Sequence, residues 1–194
     1  MSLPQRKTYL TPEEYLAIER KAEYKSEYFN GEIFAMAGAS SHHVLIVTNT
    51  ASELRGQLKR SPCTVYATDL RVKIRLTGLY TYPDVTVVCG QPQFDDNQKE
   101  TLLNPTLIVE VLSQSTQDYD RGEKFERYRT LESLMEYILI AQDKYHLEQF
   151  VRQPDHRWLF SETNRLEDTI YLFSINCNLS LVEVYDKVEM SGSS

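Results

Sequence analysis

Apolar residues recur along this chain with two periods, and the points where the period changes mark its elements. Thr11-Pro12-Glu13-Glu14 is a capping-box pattern with Pro at the first helical position, and apolar Tyr15, Leu16 and Ile18 follow it, so a first helix is predicted from about Pro12 to Lys21. Glu27-Tyr28-Phe29 and Glu32-Ile33-Phe34 flank Asn30-Gly31, a pair that accepts the positive φ angles of a type I′ turn, which predicts a β-hairpin. From about Ser41 to Arg60, Val44, Val47, Ala51, Leu54 and Leu58 recur at three- and four-residue steps, the pattern of one amphipathic helix. The period then drops to two, predicting strands at Val65-Tyr66-Ala67, Leu70 to Leu76 and Tyr82 to Val88, with Gly78 at the bend between the last two. A polar and mobile loop is expected from about Gln91 to Asn104. The run Leu107-Ile108-Val109-Glu110-Val111-Leu112 is apolar on both faces except for one carboxylate and reads as a central buried strand. A second helix is expected from about Gln117 to Leu131, capped by Ser115 or Thr116. Strands are predicted at Tyr137 to Ala141, His146 to Val151, around Trp158 and at Ile170 to Phe173, and Ser180 is placed as the cap of a short final helix.

The length, 194 residues, is that of one domain with elaborations at roughly 150 residues per domain, expected here as a single unit with its core from about 9 to 186 and a disordered tail from about 190 to 194. With 41% hydrophobic and 25% charged residues the composition is that of a globular chain, which excludes disordered and collagen-like readings. The net charge of −7 draws no phosphate by itself, so any nucleic-acid contact needs a local basic patch. Cys63, Cys89 and Cys177 are odd in number and far apart, with no CxxC pair, which suggests neither a disulfide framework nor a zinc knuckle and fits a reducing compartment. No apolar run approaches the ~18 residues of a membrane span, so a soluble, cytoplasmic protein is expected.

Glu110 is the most informative residue. An ionised carboxylate inside an apolar strand costs several kcal/mol unless it is paired, protonated or bound to metal. It shares its strand face with Ile108 and Leu112, so that face carries a single charge. Asp84 follows Pro83 and enters the run Val85-Thr86-Val87-Val88, and an adjacent strand would bring it within reach of Glu110. Two carboxylates at neighbouring strand positions suit a hard divalent cation such as Mg²⁺. Taken singly, each has a plainer reading: a Pro-Asp before a strand is a common turn feature, and a strand Glu is often an ion-pair partner.

Tyr82-Pro83-Asp84 and Glu110-Val111-Leu112, after a long helix and a β-meander, resemble the core of the PD-(D/E)XK nuclease superfamily. More narrowly, Asn104-Pro105-Thr106 through Ser113, Ser115-Thr116, Asp120-Arg121-Gly122-Glu123-Lys124 and Tyr128 resemble the Uma-type restriction endonuclease family. Asn30-Gly31-Glu32, Met36, Gly38-Ala39-Ser40, His43 and Asp69-Leu70-Arg71-Val72 carry the same likeness, which extends from about Tyr9 to Tyr185. The resemblance implies an α/β (α+β), restriction-endonuclease-like fold: a mixed β-sheet flanked by helices, with an N-terminal helix and β-hairpin. It also implies Mg²⁺- or Mn²⁺-dependent cleavage of DNA phosphodiesters, and a homodimer to cut both strands. The superfamily expects a lysine two residues after the strand acid, where this chain has Leu112; in the Uma-type family that lysine is on the following helix, and the matching residue is Lys124. A plainer role for Lys124 is an ion pair with Asp120 one helical turn away.

Candidate catalytic residues are therefore Asp84, Glu110 and Lys124, with Asp84 and Glu110 as metal ligands. Auxiliary candidates are Glu32 and its hairpin neighbour Glu27 as acids, His43 near the start of the long helix, and Tyr128. Arg71, Lys73 and Arg75 alternate with apolar residues, so one strand face, shared with Asp69, reads equally as a phosphate-contacting stripe or as a solvated face. The competing function is a catalytically inactive nuclease-fold module that binds nucleic acid or protein. A carboxylate-pair glycosidase is a third reading, and it leaves Lys124 and the basic stripe without a role.

Overall fold

The structure is a computed structural model and describes residues 9–190, so residues 1–8 and the tail beyond Met190 lie outside the described residues. Helix α1 (Pro12–Glu19) opens with the predicted capping box, Thr11 Oγ1 accepting from Glu14 N at 3.2 Å and Glu14 Oε2 from Thr11 N at 2.7 Å. Strands β1 (Ser26–Phe29) and β2 (Glu32–Ala35) form the hairpin, with φ of +49° at Asn30 and +83° at Gly31. A side chain at Gly31 would also collide with Tyr9, so glycine is required there twice over. Helix α2 (Ser41–Gln57) is capped by Ser40, whose Oγ accepts from His43 N at 3.1 Å.

Strands β3 (Cys63–Ala67), β6 (Val85–Cys89), β8 (Leu107–Leu112), β9 (Glu136–Ala141), β10 (Leu147–Arg152) and β11 (Trp158–Thr163) make a six-stranded sheet in the order β11-β10-β9-β8-β6-β3. Only the β8–β9 pair in it is parallel. Strands β4 (Arg71–Ile74), β5 (Leu79–Thr81) and β7 (Thr101–Leu102) join the hairpin in a five-stranded sheet, β2-β1-β5-β4-β7. Between β8 and β9 the chain runs through α3 (Gln117–Tyr119), one turn of π-helix (Asp120–Lys124) and α4 (Phe125–Tyr128). Strands β12 (Thr169–Leu172) and β13 (Cys177–Ser180) pair with each other, and α5 (Leu181–Val184) ends the fold. This is the expected mixed sheet flanked by helices.

The centre of the six-stranded sheet, β8 and β9, is buried on both faces, which is why β8 reads as a continuous apolar run. Val109 and Val111 pack with Ile46, Val47 and Leu54 of α2, while Ile108 and Leu112 pack with Phe125, Tyr128 and Tyr137, and with Val72 and Ile74 of the smaller sheet. Glu110 belongs to this second face and is therefore sealed between the sheet, the π turn and the hairpin sheet.

Several expectations are corrected. The buried stripe of α2 is Ile46, Val47, Thr50 and Leu54, and Val44 is half exposed, because the sheet meets the helix one position round from its most apolar spacing. The strand expected from Tyr82 to Val88 begins only at Val85, as β6: β5 ends at Thr81 in the small sheet, and Tyr82-Pro83-Asp84 carries the chain from one sheet to the other, with proline, which has no N–H for a ladder, at the crossover. The segment from Gln91 to Asn104 is not a free loop, since β7 pairs in parallel with β4 and Phe94 bridges Leu102. The second helix ends at Tyr128 rather than Leu131 and widens to a π turn midway; Thr116 makes no side-chain cap bond, and its N–H goes to Ser113 Oγ at 3.2 Å. Strand β13 has no counterpart in the periodicity reading.

The cysteine reading is also corrected, because Cys63 and Cys89 form a disulfide. Antiparallel pairing of β3 with β6 sets them directly opposite each other, a proximity that their 26-residue separation conceals. The enclosed segment includes β4, β5 and Asp84. Cys63→Ser is expected to lower unfolding stability by about 2–4 kcal/mol relative to the oxidised protein. Denaturant unfolding with and without reductant checks this: reductant destabilises the wild type and leaves the variant unchanged.

Candidate active site

The crossover at Tyr82-Pro83-Asp84 delivers Asp84 to the start of β6. The register pairs Val85 with Val109, so the next position on each strand sets Asp84 beside Glu110. Asp84 is held at both oxygens: Oδ2 accepts from Val111 N at 2.7 Å, and Oδ1 lies 2.9 Å from His43 Nε2. The cap at Ser40 fixes the first turn of α2 and with it the position of His43. Each Asp84 oxygen keeps a further lone pair.

Glu110 is 4% exposed, and its Oε1 takes two partners, Lys124 Nζ at 2.9 Å and Tyr128 OH at 2.8 Å. Lys124, 5% exposed, is surrounded by carboxylates: its Nζ is also 3.4 Å from Glu27 Oε1 and 3.4 Å from Asp120 Oδ1. The π turn produces this arrangement by burying Asp120 and Lys124 together over the sheet. Leu112, where the superfamily pattern has its lysine, packs in the apolar cluster, and the ammonium reaches Glu110 from the helix instead.

The hairpin contributes Glu27, which is buried in mid β1. Its Oε1 accepts from Thr81 Oγ1, and its Oε2 accepts from Tyr119 OH at 3.0 Å. Tyr119 OH in turn accepts from Arg127 Nη1 at 3.0 Å, and the Arg127 guanidinium lies over the Phe29 ring at 3.9 Å. Glu32, by contrast, pairs in register with Phe29 at the turn end of the hairpin, so Glu27 is the hairpin acid at the cluster.

Burial dominates the electrostatics. It pushes Glu110 up to about 8, aided by the nearby charges of Asp120 and Asp84 and opposed by Lys124. Burial also raises Asp120, against the pull of Lys124. For Lys124 burial works against the charge, but Glu110, Tyr128, Glu27 and Asp120 outweigh it and hold the ammonium protonated well above its usual range. Tyr128 is raised far above a free phenol by burial and by Glu110, so it acts here as a donor.

The basic stripe is only partly solvent-facing: Arg75 is exposed, whereas Arg71 is 3% exposed and donates from Nη1 to Tyr82 OH at 2.8 Å and from Nε to Thr101 Oγ1 at 3.1 Å, on the sheet face against which Tyr15 of α1 packs. Lys73 Nζ donates to Asp95 Oδ2 at 2.6 Å and lies over the Tyr80 ring. Asp69 is exposed and pairs with Lys25. The structure therefore brings together Asp84, Glu110, Lys124, His43 and Tyr128, adds Glu27 and Asp120, and leaves Asp69, Arg71 and Lys73 with separate partners.

Comparison with known proteins gives three likenesses. The family model Uma2, described as "Putative restriction endonuclease", matches residues 12–181. Two proteins of Synechocystis sp. strain PCC 6803, both described as uncharacterized, are close in sequence. The protein sll1609 is 39% identical over 153 residues, covering 79% of this chain and 86% of the relative, and slr1290 is 35% identical over 179 residues, covering 91% of each. The crystal structure of "a putative nuclease belonging to DUF820" from Anabaena variabilis superposes with a TM-score of 0.74 at 16% identity, covering 93% of this chain and 99% of that one, and so shares its fold.

Proposed function

This chain belongs to the Uma2 restriction endonuclease family, and on that premise we propose that it is a divalent-metal-dependent endodeoxyribonuclease. One observation carries the reading: three carboxylates, Glu110, Glu27 and Asp120, converge on a single ammonium, Lys124, and a fourth, Asp84, stands beside Glu110 on the adjacent strand. A buried cluster with more carboxylates than cations either keeps a proton, as the raised Glu110 carboxyl does, or takes up another cation that displaces it.

The donor set fits Mg²⁺ or Mn²⁺. Asp84 and Glu110 supply hard oxygen ligands, and Mg²⁺ commonly takes only one or two protein carboxylates, the remainder being water and substrate phosphate oxygens. No group of three or more His, Cys, Asp or Glu is arranged as a metal cage among the described residues, so the proposed centre rests on two carboxylates, to be completed by water and substrate. When bound, the cation polarises the scissile phosphate and lowers the pKa of a water.

The chain's own residues do the rest. Val111 N and His43 fix the two oxygens of Asp84 toward the sheet end. Tyr128 fixes Glu110 from within the core. Lys124, kept charged by its neighbours, supplies positive charge to the phosphate as negative charge develops during in-line hydrolysis. Glu27 and Asp120 hold that ammonium at the site, and two copies of the chain would serve the two strands of a duplex.

Calorimetric titration with Mn²⁺ tests the reading against an inert nuclease-fold module. The expected result is binding by the wild type, weakened at least about tenfold in Asp84→Asn. A folded wild type that takes up no Mn²⁺ or Mg²⁺ overturns the proposal in favour of the inert module.

A further inference from the structure

Glu148 lies outside the centre just described but in register with it. Glu110 on β8 pairs with Leu139 on β9, and Leu139 pairs with Glu148 on β10, so the two acids occupy one row of one sheet face. Two strand spacings, about 10 Å, separate them. The π turn above the row serves both: Lys124 goes to Glu110, and Arg121, three residues earlier, goes to Glu148.

The two pairs differ in what they leave open. Lys124 is sealed, with 6% of its side chain exposed, whereas the side chain of Arg121 is 31% exposed. Arg121 Nε and Nη2 lie 2.8 and 2.7 Å from Glu148 Oε1, and Nη1 donates to Gln117 Oε1 at 3.1 Å. These contacts fix the plane of the guanidinium and leave part of its five-donor fork unused. His146 Nε2, 3.2 Å from Glu148 Oε1, supports the same carboxylate from below.

We infer that Arg121 binds a non-scissile phosphate of the nucleic-acid substrate, with Glu148 and Gln117 as positioning residues. This deepens the nuclease reading and rests on it. A planar, charged fork already held in place matches phosphate geometry and loses little side-chain freedom on binding. The row sets Glu148, the partner of Arg121, about 10 Å from Glu110, a separation of nucleotide scale, so one strand can engage both.

The test is binding of a fluorescently labelled duplex in EDTA across 50 to 200 mM salt, with cleavage kinetics in Mg²⁺ alongside, for wild type, R121Q and R121K. R121Q is expected to weaken binding about tenfold, to raise KM more than it lowers kcat, and to reduce the slope of log K against log salt by about one. R121K keeps the charge and Glu148 as partner, so it retains the wild-type slope while binding more weakly, and it serves as the folded control. Wild-type slope and affinity in R121Q, or a fall in kcat alone, overturn this inference while the nuclease reading stands. A folded wild type that neither binds nor cuts overturns the nuclease reading itself.

Discussion

Lys124→Met is expected to lower unfolding stability by about 3–5 kcal/mol and to cut cleavage by about 10²–10³-fold. The stability loss follows from burial. Glu110, Glu27 and Asp120 all approach the Lys124 ammonium within 3.4 Å, and removing it strands their charge in a site from which water is largely excluded. The rate loss follows from removing preorganised positive charge where negative charge develops. Adding Glu110→Gln to Lys124→Met is expected to recover part of the stability, because one stranded charge goes with its partner. Denaturant unfolding of the two single variants and the double variant gives the coupling directly. Additive effects would mean that the 2.9 Å contact between Lys124 and Glu110 contributes nothing.

Glu110→Gln alone should separate function from stability. Burial already pushes Glu110 up to about 8, so its charge is a burden on the fold, and a glutamine can still accept from Tyr128. Stability is expected to stay within about 1 kcal/mol of wild type, the net contribution of a typical hydrogen bond. Cleavage is expected to fall by at least about 10³-fold, since losing a ligand carboxylate loosens the cation whose charge stabilisation would be worth several kcal/mol, and each 1.36 kcal/mol is a factor of ten. Thermal unfolding and cleavage rates of the same preparation check both halves.

The adjacency of Asp84 and Glu110 is legible from sequence because β8 is apolar on both faces, so its one charge stands out, and because Pro83 marks the entry to a neighbouring strand. The capping box at Thr11 and the Asn30-Gly31 turn are legible for a similar reason: each is fixed by residues within four positions. What could not be read depends on which strands meet. Glu27 and Glu32 are equivalent in the hairpin pattern, and only the β1–β5 pairing and the reach of Tyr119 bring Glu27 to the cluster. Arg71 and Lys73 look like a solvated stripe until α1 packs Tyr15 against Tyr80 on their face of the sheet. Cys63 and Cys89 are distant until β3 and β6 pair. Asp120 and Lys124 are recognisable as a helical pair, but the π turn that turns both inward leaves no period of its own. Arg121 could have been found beside Lys124 by its spacing, but nothing in the sequence points to Glu148 as its partner.

The central claim is that Asp84 and Glu110 form the centre of a metal-dependent nuclease, and plasmid cleavage tests it most directly. Purified wild type, Asp84→Ala and Glu110→Ala are incubated with supercoiled DNA in Mg²⁺, Mn²⁺ or EDTA. Nicking and linearisation by the wild type with metal only, together with loss of both in the two folded variants, is the predicted result. Cutting by the variants at the wild-type rate, or by the wild type in EDTA, would contradict it.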